Sequence, residues 1–236
     1  WDVADPSACP EAGEIKRIKG LVSEWQSVLQ FRIDKIHDIT DEDDIDLNDV
    51  IPSAPYSPDE MLAVLKEYVN KIEDKQIKAL VIRILREYSP YLRLHPAALK
   101  NHHSIRSGLL YHITTMLKLA QGIIAVYTNL NKDLVYAGVI LHDICKTTEI
   151  NAGESGIALE YSTEGMLVGH ISQGVNAVAQ AGKDIDIDKE KVLMLEHMIL
   201  SHHYEPDFGS PRRPMFPEAE ILHYLDMIDT RMYDMN

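Results

Sequence analysis

The sequence is poor in cysteine and in long hydrophobic runs. Its 236 residues include two cysteines, Cys9 and Cys145, which lie far apart in the chain. Two distant cysteines do not make a disulfide framework, so a reducing compartment fits the sequence best. No apolar run reaches the ~18 residues that a membrane span requires, and residues 1–5 have neither the basic start nor the apolar stretch of a signal peptide. The sequence therefore predicts a cytoplasmic protein with no membrane partner.

Basic residues are also scarce. There are 23 Lys and Arg against 37 Asp and Glu, which gives a formal net charge of −14 at pH 7. This balance argues against broad, non-specific adsorption to nucleic acid or to anionic membrane, although it leaves room for a local basic groove. Hydrophobic residues make up 45% of the chain and charged residues 25%, and these shares are ordinary for a globular protein. A chain of this length buries about 70% of its surface, so its core needs no disulfide or structural metal.

The N-terminal part, residues 15–37, is predicted to form two or three short strands. Polar and apolar side chains alternate from Gln30 to Ile36, which is a strand period. Gly20 is typical of a bulge or of a close backbone approach. A piece of this size needs further strands or a partner surface to be stable. The acidic segment 38–50 favours a solvated linker; calcium binding is the alternative, but the segment lacks the Gly and the terminal Glu of an EF-hand loop.

Beyond the acidic segment the pattern is helical. Ser57, Pro58 and Glu60 supply an N-cap, a proline at the first helical position and the acidic partner of a capping box. Further helices are predicted at 75–88, 104–127, 132–145, 164–181, 188–203 and 217–233, with a short β-like run at 157–161. The predicted fold class is mainly α: a small β segment and linker at 1–53, followed by an all-α domain at 54–236.

Several of the eleven histidines lie in apolar sequence, as do two aspartates. In chain order the set is His112, His142, Asp143, His170, His202, His203 and Asp226. Buried polar groups without partners are costly, and a shared divalent metal is the natural partner for several that converge. The adjacent His142 and Asp143 can bind one ion through nitrogen and reach a second through the carboxylate. We interpret His37, His95 and His223 as ordinary core or surface histidines.

These residues lie in motifs that resemble a known family. The motifs are 101–103 leading to 108–112, then 142–146, 164–171, 201–203, and 208–211 with Pro214, Glu218 and Ala219. They resemble the HD superfamily of metal-dependent phosphohydrolases, and in particular the YhaM-type 3′–5′ exoribonucleases, in which an OB-fold precedes an HD-domain helical bundle. Residues 1–2 and 15–36 resemble the later strands of that OB-fold, whose first strands are absent from this sequence. Cys145 and Ser107 stand where glycine is common.

The resemblance implies ligands for two divalent ions. The first ion would be bound by His112, His142, Asp143 and Asp226. The second would be bound by His170 and either His202 or His203, with Asp143 bridging. Imidazole and carboxylate donors suit Mn²⁺, Fe²⁺, Co²⁺, Ni²⁺ or Zn²⁺ better than Mg²⁺, and the family favours Mn²⁺. Such ions lower the pKa of water and stabilise the attacking and leaving oxygens of a phosphoryl group.

Two further residues have predicted roles beside the ligands. Lys146 is predicted to act with Asp143 in catalysis by binding the substrate phosphate. Its alternative role is that of a lysine favoured at a helix C-terminus by the macrodipole. Asp229, three residues after Asp226, is expected to orient a ligand rather than to bind metal.

Candidate substrate-binding residues flank the histidine motifs. Arg106 and His103, together with His102, are predicted to bind a second phosphate or the terminal ribose, and a solvent-facing helix start is the alternative. Arg212 and Arg213 follow a glycine in a predicted loop. The sequence is equally compatible with two roles for them: contact with the substrate, or exposure to solvent in a turn.

The predicted strands carry basic and aromatic side chains. A strand face that binds single-stranded nucleic acid is compatible with three basic residues and one aromatic residue here: Lys16, Arg17, Lys19 and Trp25. For Phe31 the sequence favours a core position. Because an OB-fold binds through a complete strand face, a partial one predicts weaker binding.

By resemblance, the predicted function is that of a metal-dependent 3′–5′ exoribonuclease that releases nucleoside 5′-monophosphates from single-stranded RNA or DNA. An HD-type nucleotide or cyclic-nucleotide phosphohydrolase is the alternative, although it would not need the β segment. A catalytically silent nucleic-acid-binding or scaffold protein is a third hypothesis. Related exoribonucleases assemble, so a homo-oligomer is compatible with the resemblance.

Overall fold

A computed structural model of the chain describes residues 9–11 and 13–235. The chain forms two compact units, which divide between Ile51 and Pro52. Residues 1–2, which the resemblance assigns to an OB-fold strand, lie outside the described part. The assignment of an OB-fold segment and an HD domain to particular limits stays a prediction.

The first unit contains a long antiparallel hairpin. Strand β1 (Lys16–Trp25) pairs with β2 (Val28–Asp38) through a two-residue turn. Both turn residues have positive φ, 50° and 63°, as the turns that match strand twist require. The register shifts at Gly20, as the sequence predicted. A Cβ there would lie 2.2 Å from the Arg32 carbonyl oxygen, so the close approach of the strands requires glycine.

Apolar side chains of this hairpin are exposed. Phe31 is 51% exposed and Trp25 is 66% exposed. The expectation that Phe31 lies in a core is therefore wrong, because the sheet formed by the described residues of this unit has two strands and covers neither face. The acidic segment is more ordered than a plain linker: it forms a 3₁₀ turn at Asp41–Asp43 and a short helix α1 at Leu47–Val50.

The second unit is a helical bundle with one small hairpin. Its elements are α2 (Pro58–Lys71), α3 (Lys75–Leu92), α4 (Gly108–Val126), α5 (Lys132–Leu141), α6 (Lys146–Glu149), β3 (Ile150–Ala152), β4 (Ala158–Tyr161), α7 (Thr163–Leu167), α8 (Gly169–Asp184), α9 (Lys189–Ser201) and α10 (Pro217–Asp234). Strands β3 and β4 pair antiparallel, and the predicted β-like run is β4 with the residue before it. The mainly α fold class is confirmed.

Helix α5 lies at the centre of the bundle. Every residue from Asp133 to Leu141 is buried, and α5 packs against α2, α3, α4, α9 and α10. The Asp133 carboxylate accepts hydrogen bonds from the backbone N–H groups of Glu73 and Asp74, at 3.1 and 2.7 Å, which ties α5 to the start of α3. Helix α4 is long and apolar enough to span a membrane by length and composition alone, but here it packs against α2, α5 and α10.

Three helices differ from their predicted limits beside residues of the candidate site: one begins later, one ends earlier and one is broken in two. Helix α4 begins at Gly108 rather than 104, since a loop occupies the preceding residues and Ser107 has φ 62°. Helix α5 ends at Leu141 rather than 145. The single helix predicted at 164–181 is two helices, because Gly169 adopts φ 74° between them.

The start of α2 follows a local sequence signal, whereas α3 ends later than predicted. Ser57 and Glu60 form the predicted capping box, in which Glu60 accepts from the Ser57 N–H at 2.9 Å. Helix α3 runs to Leu92, beyond the predicted end at 88, and contains Pro90 in its last turn.

Candidate metal centre

Two histidines of the site lie at helix C-termini. His142 follows α5 and His202 follows α9, each as the C-cap residue. The last carbonyls of a helix have no intrahelical donor. Here the ring Nδ1–H of His142 donates to the Val139 carbonyl at 2.9 Å, and that of His202 donates to the Ile199 carbonyl at 2.7 Å. In both rings the Nε2 atom is therefore the one with a lone pair.

Three other histidines have the same arrangement with different acceptors. The Nδ1–H of His112 donates to Asp229 at 2.7 Å, and that of His170 donates to Glu149 at 2.9 Å. His203 Nδ1–H donates to the Phe208 carbonyl at 2.6 Å. A hydrogen bond from one ring nitrogen fixes the tautomer and orients the other nitrogen toward a metal. All five rings thus have Nε2 available as a ligand atom.

Asp143 joins the two halves of the cluster. One of its carboxylate oxygens, Oδ1, lies 3.3 Å from His170 Nε2 and 3.5 Å from His202 Nε2. The other oxygen, Oδ2, lies 3.4 Å from His142 Nε2 and 3.7 Å from His112 Nε2. The predicted ligand atoms form two groups within 4.8 Å: Asp143, His170, His202 and His203, and then His112, His142 and Asp226. A third group of this kind joins His112 to His103 and Asp229.

Several of these buried atoms have no protein partner. Asp143 Oδ1, His170 Nε2 and His202 Nε2 make no hydrogen bond among the described residues. The Nε2 atoms of His112 and His142 lie 3.3 Å apart, and each ring already donates through its Nδ1–H. Buried polar atoms normally have partners, and leaving them unpaired is costly. Imidazole nitrogens and carboxylate oxygens around a shared carboxylate fit divalent metal ions.

Charges around the cluster keep its carboxylates ionised. Lys146 Nζ lies 2.7 Å from Asp143 Oδ2. Burial raises the pKa of Asp143, but Lys146 and His142 lower it more, so the pKa lies well below its usual range. Burial also raises the pKa of Asp226, which His112 and His142 nevertheless lower to about 2. Burial and the neighbouring His202 lower the pKa of His203 to about 4, which keeps its ring neutral at pH 7.

The cluster forms part of the wall of a cavity of about 1010 Å³. The predicted ligands His170, His202, His203 and Asp226 line it, together with Lys146. Additional basic and aromatic side chains in its wall are Lys100, Arg231, Tyr161, Phe208 and Tyr233. A smaller cavity of about 360 Å³ lies between α3 and α8 and contains none of the ligands. The large cavity therefore combines a candidate metal cluster with groups suited to phosphate and to aromatic bases.

The structure brings the predicted ligands and Lys146 together, but three predicted substrate contacts do not line the large cavity. His102 lines the large cavity, whereas His103, Arg106 and Arg212 do not. His103 is 1% exposed and donates to Asp229. The Arg106 backbone pairs with Pro52 and Ala54, and Arg212 is exposed in its loop. The substrate roles of these three residues stay predictions.

Sequence reasoning missed Glu149, Lys100 and Arg231. Glu149 accepts hydrogen bonds from both the backbone N–H and the ring of His170, at 3.0 and 2.9 Å. Its position six residues after Asp143 is the available signal, but its partner lies 21 residues further along the chain. The orienting role predicted for Asp229 matches its contact with His112.

Comparison with known proteins agrees with this geometry. Residues 109–231 match the family model of the HD domain. The 3′–5′ exoribonuclease YhaM of Shouchella clausii is 40% identical over 222 residues, which are 94% of this chain and 69% of that protein. The Bacillus subtilis protein of the same name is 35% identical over 237 residues, covering 100% of this chain and 74% of that protein. The chain belongs to the HD-domain family of YhaM-type 3′–5′ exoribonucleases.

A third relative supports the same assignment. The Halalkalibacterium halodurans 3′–5′ exoribonuclease YhaM is 38% identical over 225 residues, which are 95% of this chain and 69% of that protein. No solved structure is a significant match. The family resemblance inferred from the sequence motifs is confirmed, and with it the prediction of a hydrolytic enzyme.

Proposed function

We propose that this chain is a metal-dependent 3′–5′ exoribonuclease that hydrolyses single-stranded RNA, or DNA, to nucleoside 5′-monophosphates. The observation that carries the proposal is a set of buried atoms of Asp143, His170 and His202 that have no hydrogen-bond partner among the described residues. Both histidines line the large cavity. The names of the relatives point to the same reaction.

Asp143 would be shared between two divalent ions. His112, His142 and Asp226 complete one ligand group, and His170, His202 and His203 complete the other. Between the adjacent histidines we assign His202 as the principal ligand, because its buried Nε2 lies 3.5 Å from Asp143 Oδ1 and has no other partner among the described residues. The donors fit Mn²⁺ first, and Fe²⁺, Co²⁺, Ni²⁺ or Zn²⁺ as alternatives. When bound, such ions activate water and stabilise charge on phosphoryl oxygens.

Lys146 has two tasks in this proposal. Its ammonium pairs with Asp143 Oδ2 at 2.7 Å and so orients the shared carboxylate. An ammonium has three donors, so the other two remain for oxygens of a substrate phosphate in the cavity that Lys146 lines. The contact would offset negative charge that develops on phosphorus-bound oxygens.

The cavity wall suits a single strand. Lys100 and Arg231 supply positive charge, and Tyr161 and Phe208 are aromatic side chains that are 46% and 70% exposed. Bases of single-stranded nucleic acid stack on such rings whatever their sequence. These local groups must act against a net charge of −14, so binding depends on the cavity rather than on the field of the whole protein. A homo-oligomer and a cytoplasmic location stay predictions.

The test is an assay with single-stranded RNA labelled at its 5′ end, incubated with Mn²⁺. We expect a ladder of products that shorten one nucleotide at a time, together with free 5′-mononucleotides. Asp143→Asn should abolish the ladder and stay folded, while Asp186→Asn, a matched change in the turn before α9, should leave it intact. Intact RNA beside hydrolysed nucleotides or cyclic dinucleotides would contradict the proposal and favour a small-molecule phosphohydrolase.

A further inference from the structure

His103 lies in the loop before α4 in a fixed and unusual conformation. It has φ 56°, in the left-handed region that residues other than glycine seldom adopt. Its carbonyl accepts a hydrogen bond from the Ala97 N–H at 3.0 Å. Any Cβ at position 108 would lie 2.0 Å from that same carbonyl oxygen, so the loop packs directly against the start of α4. The backbone thus holds His103 in one place.

The ring of His103 reaches a carboxylate that it shares with a metal ligand. Its Nε2–H donates to Asp229 Oδ2 at 2.8 Å, and His112 Nδ1–H donates to the same oxygen at 2.7 Å. A carboxylate can only accept, so both rings must present an N–H to it. Asp229 is 5% exposed, and these two imidazoles are its hydrogen-bond partners among the described side chains. The pair of donors fixes where Asp229 lies, and Asp229 fixes the tautomer and direction of His112.

Aromatic packing holds the same ring from its sides. The His103 ring centroid lies 4.0 Å from that of Tyr233 and 5.3 Å from that of Tyr111. Its other nitrogen, Nδ1, is buried without a hydrogen-bond partner among the described residues. A neutral ring with its proton on Nε2 leaves only a lone pair unpaired there, which agrees with donation to Asp229.

We propose that His103 is a positioning residue for the metal centre, acting through Asp229 on His112. It would hold Asp229 so that His112 Nε2 faces Asp226 and His142, 3.4 and 3.3 Å away. This assigns His103 a structural task at the cluster instead of a contact with substrate. The inference rests on the metal centre of the proposed function, and it concerns a ligand's support rather than the ligands themselves.

A matched pair of substitutions tests this role. In His103→Gln the amide nitrogen can occupy the place of Nε2 and donate to Asp229. In His103→Asn the amide is one carbon shorter and lies near the place of Nδ1, and asparagine tolerates positive φ well, so the fold should persist. Mn²⁺ affinity, measured by calorimetry on folded protein, should fall about 10-fold or more in His103→Asn and stay near wild type in His103→Gln. Equal affinities in the two variants would overturn the proposal.

A double-substitution cycle tests the route through Asp229. If His103 acts through that carboxylate, His103→Asn should weaken Mn²⁺ binding in the wild-type background but add nothing in an Asp229→Asn background. An equal loss in both backgrounds would refute this route. Wild-type protein that binds no Mn²⁺ would refute the proposed function itself, whereas normal wild-type binding with an unaffected His103→Asn would refute only the positioning role.

Discussion

Glu149 offers a sharp test of how the protein supports its candidate ligands. Its two carboxylate oxygens accept from one residue: Oε1 from the His170 backbone N–H at 3.0 Å and Oε2 from the His170 ring Nδ1–H at 2.9 Å. Glu149→Gln preserves shape but replaces one acceptor with an N–H donor. The amide can then satisfy only one of the two His170 groups, so the ring loses its charged acceptor or the backbone N–H is left unpaired.

The expected loss follows from these contacts. A hydrogen bond to a charged group contributes about 1.5–3 kcal/mol, and each 1.4 kcal/mol is about a tenfold change in a binding constant. If the ring bond is the one that is lost, the affinity of the ion at His170 should fall about 10- to 100-fold, the usual effect of removing such a partner. The ion at His112 should be affected much less, because Glu149 does not contact that ligand group.

The assay is a calorimetric titration of folded protein with Mn²⁺, with Glu160→Gln as the matched control. Glu160 lies on β4 of the adjacent hairpin and its side chain is exposed, so its substitution should leave both affinities unchanged. Glu149→Gln with wild-type affinity at both sites, or an equal loss in Glu160→Gln, would refute the reasoning.

Three further predictions concern stability, substrate and metal. Asp133→Ala removes the buried acceptor of the Glu73 and Asp74 N–H groups, so we expect urea denaturation to show a loss of about 1–3 kcal/mol; an unchanged midpoint would be inconsistent with this. Phe208→Ala should raise KM for single-stranded RNA about fivefold or more through lost base stacking while kcat changes little, and an unchanged KM would remove Phe208 from the substrate path. Mn²⁺ at 100 times its Kd should raise the free energy of unfolding by about 2.7 kcal/mol for each ion bound, seen as a higher Tm in wild type but a much smaller rise in Asp143→Asn, and equal shifts would place the ions elsewhere.

The residues that the sequence predicts as ligands lie within short motifs, and the structure brings them close together. His142 and Asp143 are adjacent. The apolar run before them indicates a buried helix, so the residues at its end are expected to lie within the helical bundle. The capping box at Ser57 and the bulge at Gly20 were equally visible, since local chemistry determines both. These features depend on residues that are near one another in the chain.

The features that the sequence did not reveal depend on distant partners. His103 contacts Asp229 across 126 positions, and Glu149 contacts His170 across 21, so neither role can be found from local spacing. The helix break at Gly169 was missed because glycine is compatible with both a helix and a turn. Phe31 was expected in a core because alternation shows that a strand has an apolar face but not what covers that face.

The most direct test of the account measures bound Mn²⁺ and RNA hydrolysis on the same samples as metal is added to metal-free protein. The account predicts saturation at two ions per chain, hydrolysis that rises with occupancy of the centre, and loss of both in Asp143→Asn. Full hydrolysis by metal-free protein, or by an Asp143→Asn variant that binds no ion at this centre, would contradict the claim that the cluster around Asp143 carries the reaction.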